Sequence, residues 1–475
     1  MPGGGGGGGR GWRLTALADV GDDPRADNPG ALTLDELRAN RDSAAAVNLQ
    51  RDAGKDVTQA QGGLTLQRQL ADGGEVAATV FGITRSLKNP QTFAYIDLDR
   101  VAYGGRFTLS RPAHLGALPQ LLTVGLDFQR QRDDRVNFDY RTGSQPDTSR
   151  QLDQLEHVTE VGPFLQSALD LSTRTTVTAG LRYDRVSFGV HDRLITATNP
   201  DDSGRRLMAA LSGSLGLTVN AADAVTVYAN LGSSFETPTT TEQANRPDTA
   251  GGFNPALKPQ QAVNYEVGVR GTPGGGRRLT WTAALFRADV RDELISYEVP
   301  SSPQRRFFRN AGSSRHLGVE LGTELALRPG VSLGGSYTYS HFRYVRYRFS
   351  PDTVRTFVLD GRALPGVPPS WGHVMLRVSP SFARGGWAEV ETTYSSSYPV
   401  DDTLSTRTSP WWATNLRLGW EGAVGSVRAT PFLGVYNLFN RLYVGSVTIN
   451  AARSRYYEPS PGRSVYLGLS VAAER

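Results

Sequence analysis

The chain of 475 residues contains no cysteine. A chain without cysteine has no disulfide framework, no thiolate metal ligand and no cysteine nucleophile. Long apolar runs are missing too, because the hydrophobic residues, 39% of the total, are scattered along the sequence. No run approaches the roughly 18 residues that a membrane-spanning helix needs, so a helical membrane protein is excluded.

Motifs for catalysis, metals or nucleotides are also missing. The six histidines are dispersed, with no His-Glu-x-x-His motif and no pair at metal-ligand spacing. The glycine run at residues 3–9 lacks the Gly-Lys-Ser/Thr ending of a phosphate-binding loop. The net charge of +5 is small for this length, and basic residues are interleaved with acidic ones, so nucleic acid is not an indicated partner. The sequence predicts no enzyme activity, no metal site and no cofactor.

The chain is instead rich in strand-like segments of about ten residues, in which polar and apolar residues alternate. The gaps between these segments are alternately short and long. Reading back from the C-terminus, the short gaps at 422–425, 380–384 and 329–330 alternate with the long gaps at 399–410 and 348–368. Tight turns at one end and long loops at the other are typical of an up-and-down β-barrel in an outer membrane.

One segment shows how the two faces of such a strand differ. Trp412, Leu416, Leu418 and Trp420 fall on one face, with the two tryptophans eight positions apart. In a tilted strand these rings stand about 20 Å apart along the membrane normal, close to the spacing of the two aromatic girdles of a barrel. The alternative is a pair of ordinary core tryptophans, since the strands of a soluble sandwich also alternate.

The same parity predicts an all-β fold, a transmembrane antiparallel up-and-down barrel of about eighteen strands. The predicted strands span residues 11–20, 63–70, 76–84, 100–110, 120–131, 155–170, 174–188, 207–218, 224–232, 262–271, 278–290, 314–328, 331–347, 369–379, 386–398, 411–420, 426–436 and 463–472. Both chain ends of a bacterial barrel lie in the periplasm, so every long gap is expected on the extracellular side. Residues 1–10 are predicted to be a disordered glycine-rich start, and residues 11–475 the barrel domain.

Several stretches of the second half resemble TonB-dependent outer-membrane receptors. They include Phe235-Glu-Thr-Pro238, Asn264-Tyr-Glu-Val-Gly-Val-Arg270, Leu364-Pro-Gly-Val-Pro368, Asn437-Leu-Phe-Asn440 and Pro461-Gly-Arg463. The resemblance implies energy-coupled import of a scarce ligand, most often a ferric siderophore or similar metal chelate. It also implies a location in the bacterial outer membrane, contact with outer-membrane lipid, and a TonB energising complex as the partner of the intact receptor.

The sequence departs from the family at its N-terminal side. The family has a barrel of 22 strands closed by an N-terminal plug, a short box for the energising partner and a signal peptide. The first residues show no basic region followed by an apolar one, and no plug or box is found. We therefore expect a truncated barrel, lacking the plug and about four strands. The alternatives are a plugless passive pore or non-transporting fragment, and a secreted all-β adhesin or hydrolase.

The best candidate for ligand contact is a segment in which arginine and aromatic residues interleave. It comprises Arg343, Tyr344, Arg346, Tyr347 and Arg348, at an expected extracellular strand tip. Guanidinium groups pair with anionic oxygens and aromatic faces stack on planar chelating groups, which together suit an anionic ferric chelate. The same residues would suit anionic lipopolysaccharide or simple solvation.

Pairs of acidic residues occur at 133–134, 201–202 and 401–402, all in gaps between the expected strands. Hydrated loop charge explains these pairs better than calcium binding. They are therefore predicted to be solvated.

Overall fold

The structure is a computed structural model that describes residues 11–244, 246, 252–273, 278–350, 355–425 and 427–473. The predicted disordered start at residues 1–10 lies outside the described residues. Within them the chain is almost entirely β-structure in one large antiparallel sheet. No helix in the described residues is long and apolar enough to cross a membrane.

The large sheet has 19 strands in the described part of the chain. The first ten are β1 Trp12–Asp27, β2 Gly54–Gln69, β3 Glu75–Pro90, β4 Tyr95–Leu115, β5 Leu118–Thr142, β6 Gln145–Ser172, β7 Thr175–Asp192, β8 Gly204–Ala222, β9 Val225–Glu236 and β10 Gln260–Gly271. With small hairpins in the loops numbered in chain order, the other nine are β11 Leu279–Arg291, β14 Ser313–Arg328, β15 Val331–Arg346, β18 Ser370–Val378, β19 Gly386–Ser395, β20 Trp411–Trp420, β21 Gly422–Val424, β22 Val427–Tyr436 and β25 Ser464–Ala473. The small hairpins pair β12 Leu294–Val299 with β13 Ser302–Asn310, β16 Arg348–Phe349 with β17 Phe357–Val358, and β23 Val444–Val447 with β24 Tyr457–Pro459.

Each strand of the sheet pairs with its neighbours in chain order, as an up-and-down barrel wall requires. β20 and β21 both pair with β22, so they form one strand interrupted at Glu421. Counted together, they leave eighteen strands, and each of the eighteen predicted segments overlaps one of them. Within the described residues the two outer strands each have a single partner, β2 for β1 and β22 for β25.

Several predicted boundaries are wrong; for example, β2 begins at Gly54 and β6 at Gln145, nine or more residues before the predicted starts at 63 and 155. Two further cases have a clear structural reason. The predicted strand 120–131 extends in the structure to Thr142, because β5 continues as a long ribbon paired with β6 beyond the ordinary strand length. The short turn predicted at 422–425 begins later in the structure, because Gly422–Val424 is still part of a strand. Gly425, at a φ of 63°, provides the left-handed conformation for the turn itself.

The sheet has one apolar and one polar face. Trp412, Leu418 and Trp420 are exposed on the same face, which confirms the predicted face of this segment. We call this apolar face outward, toward lipid, and the opposite face inward. On the inward face, side-chain hydroxyls hydrogen-bond across neighbouring strands, for example Thr65 to Thr79 at 3.0 Å. This division is what a barrel wall between lipid and an aqueous lumen needs.

All the long connections lie at one end of the sheet, the loop end, together with the short β3–β4 and β5–β6 connections. The other end, the turn end, has only short connections. The loop end carries the small hairpins and the helices α1 Leu34–Ala39, α2 Ala46–Arg51 and α3 Thr240–Ala244. α1 begins with a capping box, because Thr33 accepts from the Glu36 amide while Glu36 accepts from the Thr33 amide. The 3₁₀ turns Ser381–Ala383 and Ala452–Ser454 lie at the turn end and the loop end, respectively.

Candidate ligand site at the loop end

Three buried apolar clusters pack the loops against one another and against the strands at the loop end of the sheet. Their buried members are Ile295, Ala311, Tyr344, Tyr347, Leu359 and Leu364 in the first, Leu32, Leu37, Val400, Val444 and Tyr457 in the second, and Val186, Phe188 and Met208 in the third. The first two join residues from different connections. The loop end is therefore a packed structure and not a set of independent loops.

Asp402 is the polar centre of the first cluster. Its side chain is only 2% exposed. The Tyr344 hydroxyl donates to Asp402 Oδ1 at 2.7 Å, and the Tyr347 hydroxyl donates to Oδ2 at 3.3 Å. The Arg309 guanidinium lies 3.4 Å from Oδ2, and the Asp402 amide donates to Asn450 Oδ1 at 2.8 Å. Burial raises the pKa of Asp402 above its ordinary value, although these partners oppose the rise.

Arg309 links this carboxylate to an aromatic stack. Its guanidinium carbon lies 3.8 Å from the centre of the Phe349 ring and 4.4 Å from that of Tyr297. Phe349 in turn stacks on Phe357 across the small hairpin β16–β17, with ring centroids 5.2 Å apart. Cation–π contact and ion pairing together fix the position of this arginine.

The arginine-rich segment predicted for ligand contact is divided by these contacts. Tyr344 and Tyr347 are buried, with both hydroxyls bound to Asp402, so neither ring is open to a ligand in this structure. The side chains of Arg343, Arg346 and Arg348 are exposed. The ligand contact of the five residues stays a prediction, and its exposed part is the three arginines.

Arg343 lies on the outward side of the wall. It pairs in register with Arg315, two positions along the strand from the outward-facing pair Leu317 and His341. Its guanidinium donates to His341 Nε2 at 2.8 Å and to the Gly361 carbonyl at 2.6 Å. The strand alternation therefore directs Arg343 and Tyr344 to opposite faces.

A cavity of about 390 Å³ lies beneath the loops. Three residues of the wall line it, Asn89 on β3, Ile96 on β4 and Arg135 on β5. The rest of the lining comes from several connections and includes Asn28, Gln91, Phe93, Thr241, Glu298, Arg306, Arg455 and Glu458. Amide, hydroxyl and guanidinium groups dominate this lining. We call it the mouth cavity.

The hairpin β12–β13 extends across the mouth cavity to the β3–β4 connection. The guanidinium of Arg305 on this hairpin lies 5.2 Å from the ring centre of Phe93, in the β3–β4 connection, and 5.3 Å from that of Phe307. Burial lowers the pKa of Arg305, and the nearby charge of Arg135 lowers it further. The hairpin thus brings positive charge toward the cavity wall.

The charged residues of the mouth cavity differ in how well they are paired. Arg455 forms a two-point ion pair with Glu36 on α1, at 2.6 and 3.0 Å. Arg135 lies 3.8 Å from its carboxylate neighbour Glu156 and donates to Asn137 at 3.2 Å. Arg306 is exposed and makes no ion pair with any residue that the structure describes.

The carboxylates of the cavity are partly occupied by donors of the chain. Glu298 Oε2 accepts the backbone amides of Gln304 at 2.8 Å and Ala452 at 3.1 Å, and Glu458 accepts the Thr448 hydroxyl at 2.7 Å. Arg135 and Arg306 are therefore the cations of this cavity with the most capacity left for an anion.

Below the cavity, the inward wall carries tight ion pairs. Arg100 donates to both oxygens of Asp133, at 2.8 and 2.7 Å, and Asp133 is fully buried. Arg106 and Arg182 share the carboxylate of Asp127. The prediction of hydrated loop charge is wrong for Asp133, Asp401 and Asp402. Asp133 is a buried residue of strand β5, and Asp401 and Asp402 are buried in a packed loop.

No group of three or more histidine, aspartate or glutamate side chains in the described part of the chain is arranged to hold a metal ion. The mouth cavity is the feature that sequence reasoning missed. Its lining comes from positions more than 400 residues apart, which no local sequence pattern brings together.

The comparisons with known proteins agree with this architecture. The family described as "TonB dependent receptor-like, beta-barrel" matches residues 2–438. The chain belongs to this family of outer-membrane receptors and transporters. This places it in the bacterial outer membrane and removes the alternative of a secreted adhesin or hydrolase.

Individual relatives are distant. A probable TonB-dependent receptor, BfrD, of Bordetella pertussis is 25% identical over 302 residues, which cover 62% of this chain and 38% of the relative. The ferrichrome outer membrane transporter/phage receptor of Escherichia coli K12 is 23% identical over 357 residues, 70% of this chain and 43% of the relative. The chain thus matches about two fifths of the length of these proteins.

Solved structures share the fold. The siderophore receptor PiuA of Acinetobacter baumannii superposes with a TM-score of 0.73 at 15% identity, over 97% of this chain and 71% of that chain. The unliganded ferric citrate transporter FecA gives a TM-score of 0.75 at 17% identity, over 97% of this chain and 68% of that chain.

Proposed function

We propose that residues 11–475 form the barrel domain of a receptor that takes up a ferric siderophore or similar metal chelate across the outer membrane, and that the mouth cavity binds this chelate. Energised import is assigned to the intact receptor together with a TonB complex. Relatives named as receptors or transporters of ferrichrome, ferric citrate and ferric catecholates support the substrate class.

The observation that carries the proposal is the pairing state of the arginines in the mouth cavity. Ferric chelates with several deprotonated oxygen donors present anionic oxygens at their surface. Arg306 has no ion pair among the described residues, and Arg135 has only a long one. Charge-assisted hydrogen bonds from guanidinium groups are the interactions expected to capture such a ligand in a cavity of this polarity.

Equilibrium binding to the detergent-folded chain tests the proposal. The probes are ⁵⁵Fe-labelled ferric citrate, ferrichrome and a ferric tris-catecholate, which represent three chelating chemistries. We expect at least one anionic chelate to bind saturably, and Arg306→Ala to raise its Kd about tenfold or more, as the loss of a charged hydrogen bond predicts. The exposed side chain makes this variant structurally mild.

Arg343→Ala is the matched control, because Arg343 is also an exposed loop-end arginine but lies on the outward face. Its Kd should equal that of the unmodified chain. The reverse pattern, weakening by Arg343→Ala alone, would move the site to the arginine-rich segment. Absence of saturable binding for all three chelates would reject the proposed substrate class.

A further inference from the structure

The mouth cavity offers unused acceptors as well as unused donors. Glu298 on β12 and Glu458 on β24 both line it. Each carboxylate meets the donors of the chain through one oxygen only. Glu298 Oε2 accepts two backbone amides, and Glu458 Oε1 accepts the Thr448 hydroxyl at 2.7 Å. The other oxygens, Glu298 Oε1 and Glu458 Oε2, accept no hydrogen bond from any residue that the structure describes.

The cations of the cavity do not neutralise these two carboxylates. Arg455, which lines the same cavity, is bound to Glu36 at 2.6 and 3.0 Å. Among the described residues, no ion pair includes Glu298, Glu458 or Arg306, although all three lie in the lining. The cavity therefore holds unpaired groups of both signs at the same time.

The two carboxylates belong to one junction of the loops. The Glu298 amide donates to the Asn450 carbonyl at 3.2 Å, and the Glu298 carboxylate accepts the Ala452 amide at 3.1 Å. These bonds dock β12 on the connection that leads to β24, the strand of Glu458. The acidic part of the cavity is thus the place where the hairpins β12–β13 and β23–β24 meet.

Arg135 comes from a different part of the molecule, strand β5 of the wall, and is only 4% exposed. Its Nε donates to Asn137 at 3.2 Å, while Nη1 donates to Thr241 at 3.5 Å and lies 3.8 Å from Glu156. None of these contacts uses Nη2. A buried guanidinium with an unused donor group, outside the acidic junction, is suited to an anionic group of a ligand.

This distribution of charge restricts the ligand. The cavity of about 390 Å³ is near the small end of the range for ligand sites, so a chelate that reaches Arg135 also lies near the carboxylates. A chelate with anionic groups alone would bind the arginines but would face like charge, and it would leave Glu298 and Glu458 desolvated without partners. A chelate that also carries a protonated amine pairs with groups of both signs.

We propose that the mouth cavity selects a compact zwitterionic chelate. Its anionic oxygens bind Arg135 and Arg306, and a protonated amine that does not coordinate the metal donates to Glu298 Oε1 and Glu458 Oε2. The inference rests on the proposed function, because it takes the cavity to be the chelate site. It adds that a free amine, and not the iron centre alone, determines which chelates bind.

A matched pair of chelates tests this inference. The first probe is the ⁵⁵Fe complex of Nα,Nα-bis(carboxymethyl)-lysine, in which the carboxylates and the substituted amine hold the iron while the side-chain ammonium stays free. The second is the same complex acetylated at Nε, which removes only that positive charge. In equilibrium binding to the detergent-folded full chain at neutral pH, we expect the amine form to bind at least tenfold tighter, as the loss of a charged hydrogen bond predicts.

Glu458→Gln assigns the preference to the cavity. The variant keeps an acceptor for the Thr448 hydroxyl but loses the negative charge, so the Kd of the amine form should rise to that of the acetylated form, whose own Kd should not change. Asp35→Asn is the matched control, because Asp35 is an exposed acidic residue of α1 at the loop end and is not part of the lining. Its preference for the amine form should equal that of the unmodified chain.

The outcomes separate this inference from the proposed function. If ferric citrate or another ferric chelate binds saturably while the two forms of the lysine chelate bind equally or not at all, the inference is overturned and the proposed function stands. A preference that survives Glu458→Gln, or that Asp35→Asn also removes, overturns it as well. If no ferric chelate binds, both are rejected. The comparison of the two probes on the unmodified chain needs no variant, so misfolding of a variant leaves the test intact.

Discussion

The loop end and the turn end of the same sheet are built by different means. Buried apolar residues lie in the loops or in the loop-end half of the strands, in the part of the chain that the structure describes. At the turn end the connections are short, and even an aromatic residue such as Phe382 is 86% exposed. The wall and its turns follow from local alternation, whereas the mouth is held by tertiary packing. The structure of the turn end is therefore determined by neighbouring residues, and that of the loop end by contacts between distant residues.

Truncating an aromatic residue at each end gives the largest expected contrast. Tyr344→Ala removes a buried ring and a hydrogen bond to Asp402, and we expect a loss of about 3–5 kcal/mol in unfolding free energy. Phe382→Ala at the turn end should change it by no more than about 0.5 kcal/mol. Urea unfolding in detergent measures both. Equal losses would show that the turn end is packed like the mouth.

The wall between the two ends should respond to which face is changed. Leu215→Arg places a charge on the outward face of β8, at an estimated cost of about 2–4 kcal/mol near the bilayer midplane. Ser214→Arg is its neighbour on the inward face, where an exposed side chain meets the aqueous lumen. Heat-modifiable gel mobility after refolding into liposomes should fall for the first variant only. Similar yields would contradict the assignment of the faces.

The stability of the loop end should depend on pH through the protonation of Asp402. Its raised pKa means that the folded state binds the proton more tightly, so stability falls as pH rises from about 3.8 through the folded pKa. Asp402→Asn should remove this dependence, a difference of at most about 1.4 kcal/mol per pH unit between the two proteins. Hydrogen exchange of segment 342–364 at several pH values measures it.

The adjacent Asp401 provides a control of opposite sign. Burial alone would raise its pKa, but hydrogen bonds from Ser405 and Thr403 lower it below the ordinary value. Its contribution to stability is therefore lost as pH falls through that lowered value. If Asp401→Asn and Asp402→Asn shift the pH profile in the same direction, the Asp402 interpretation is wrong.

The smallest expected effect concerns helix α1 at the loop end. Thr33→Ala removes the side-chain oxygen of the capping box, with a cost of about 1 kcal/mol in local stability. Thr33→Ser retains a hydroxyl and should retain most of that stability. Amide exchange of Leu34–Ala39 reports the difference. Identical exchange in the two variants would assign the position of α1 to Arg455 and the packing of Leu37 alone.

The sequence predicts the wall well and the mouth poorly, for one physical reason. Alternation is a local signal, so the eighteen strands and the face of Trp412 and Trp420 can be deduced from neighbouring residues. Burial in the mouth depends on contacts that no local pattern records. Tyr344 meets Asp402 across 58 positions and Arg455 meets Glu36 across 419. The local sequence of segment 343–348 therefore predicts an exposed binding motif, although Tyr344 and Tyr347 are buried in the structure.

The contacts of Asp402 have a kinetic consequence. The side chain and amide of Asp402, in the β19–β20 loop, contact Arg309 of β13, Tyr344 at the end of β15 with Tyr347 just after it, and Asn450 of the β23–β24 connection. They therefore join four segments. These segments cannot separate one by one without leaving a buried carboxylate short of partners. Opening of this part of the mouth is thus a cooperative event with a single free energy, and amides in all four segments should exchange at a common opening rate.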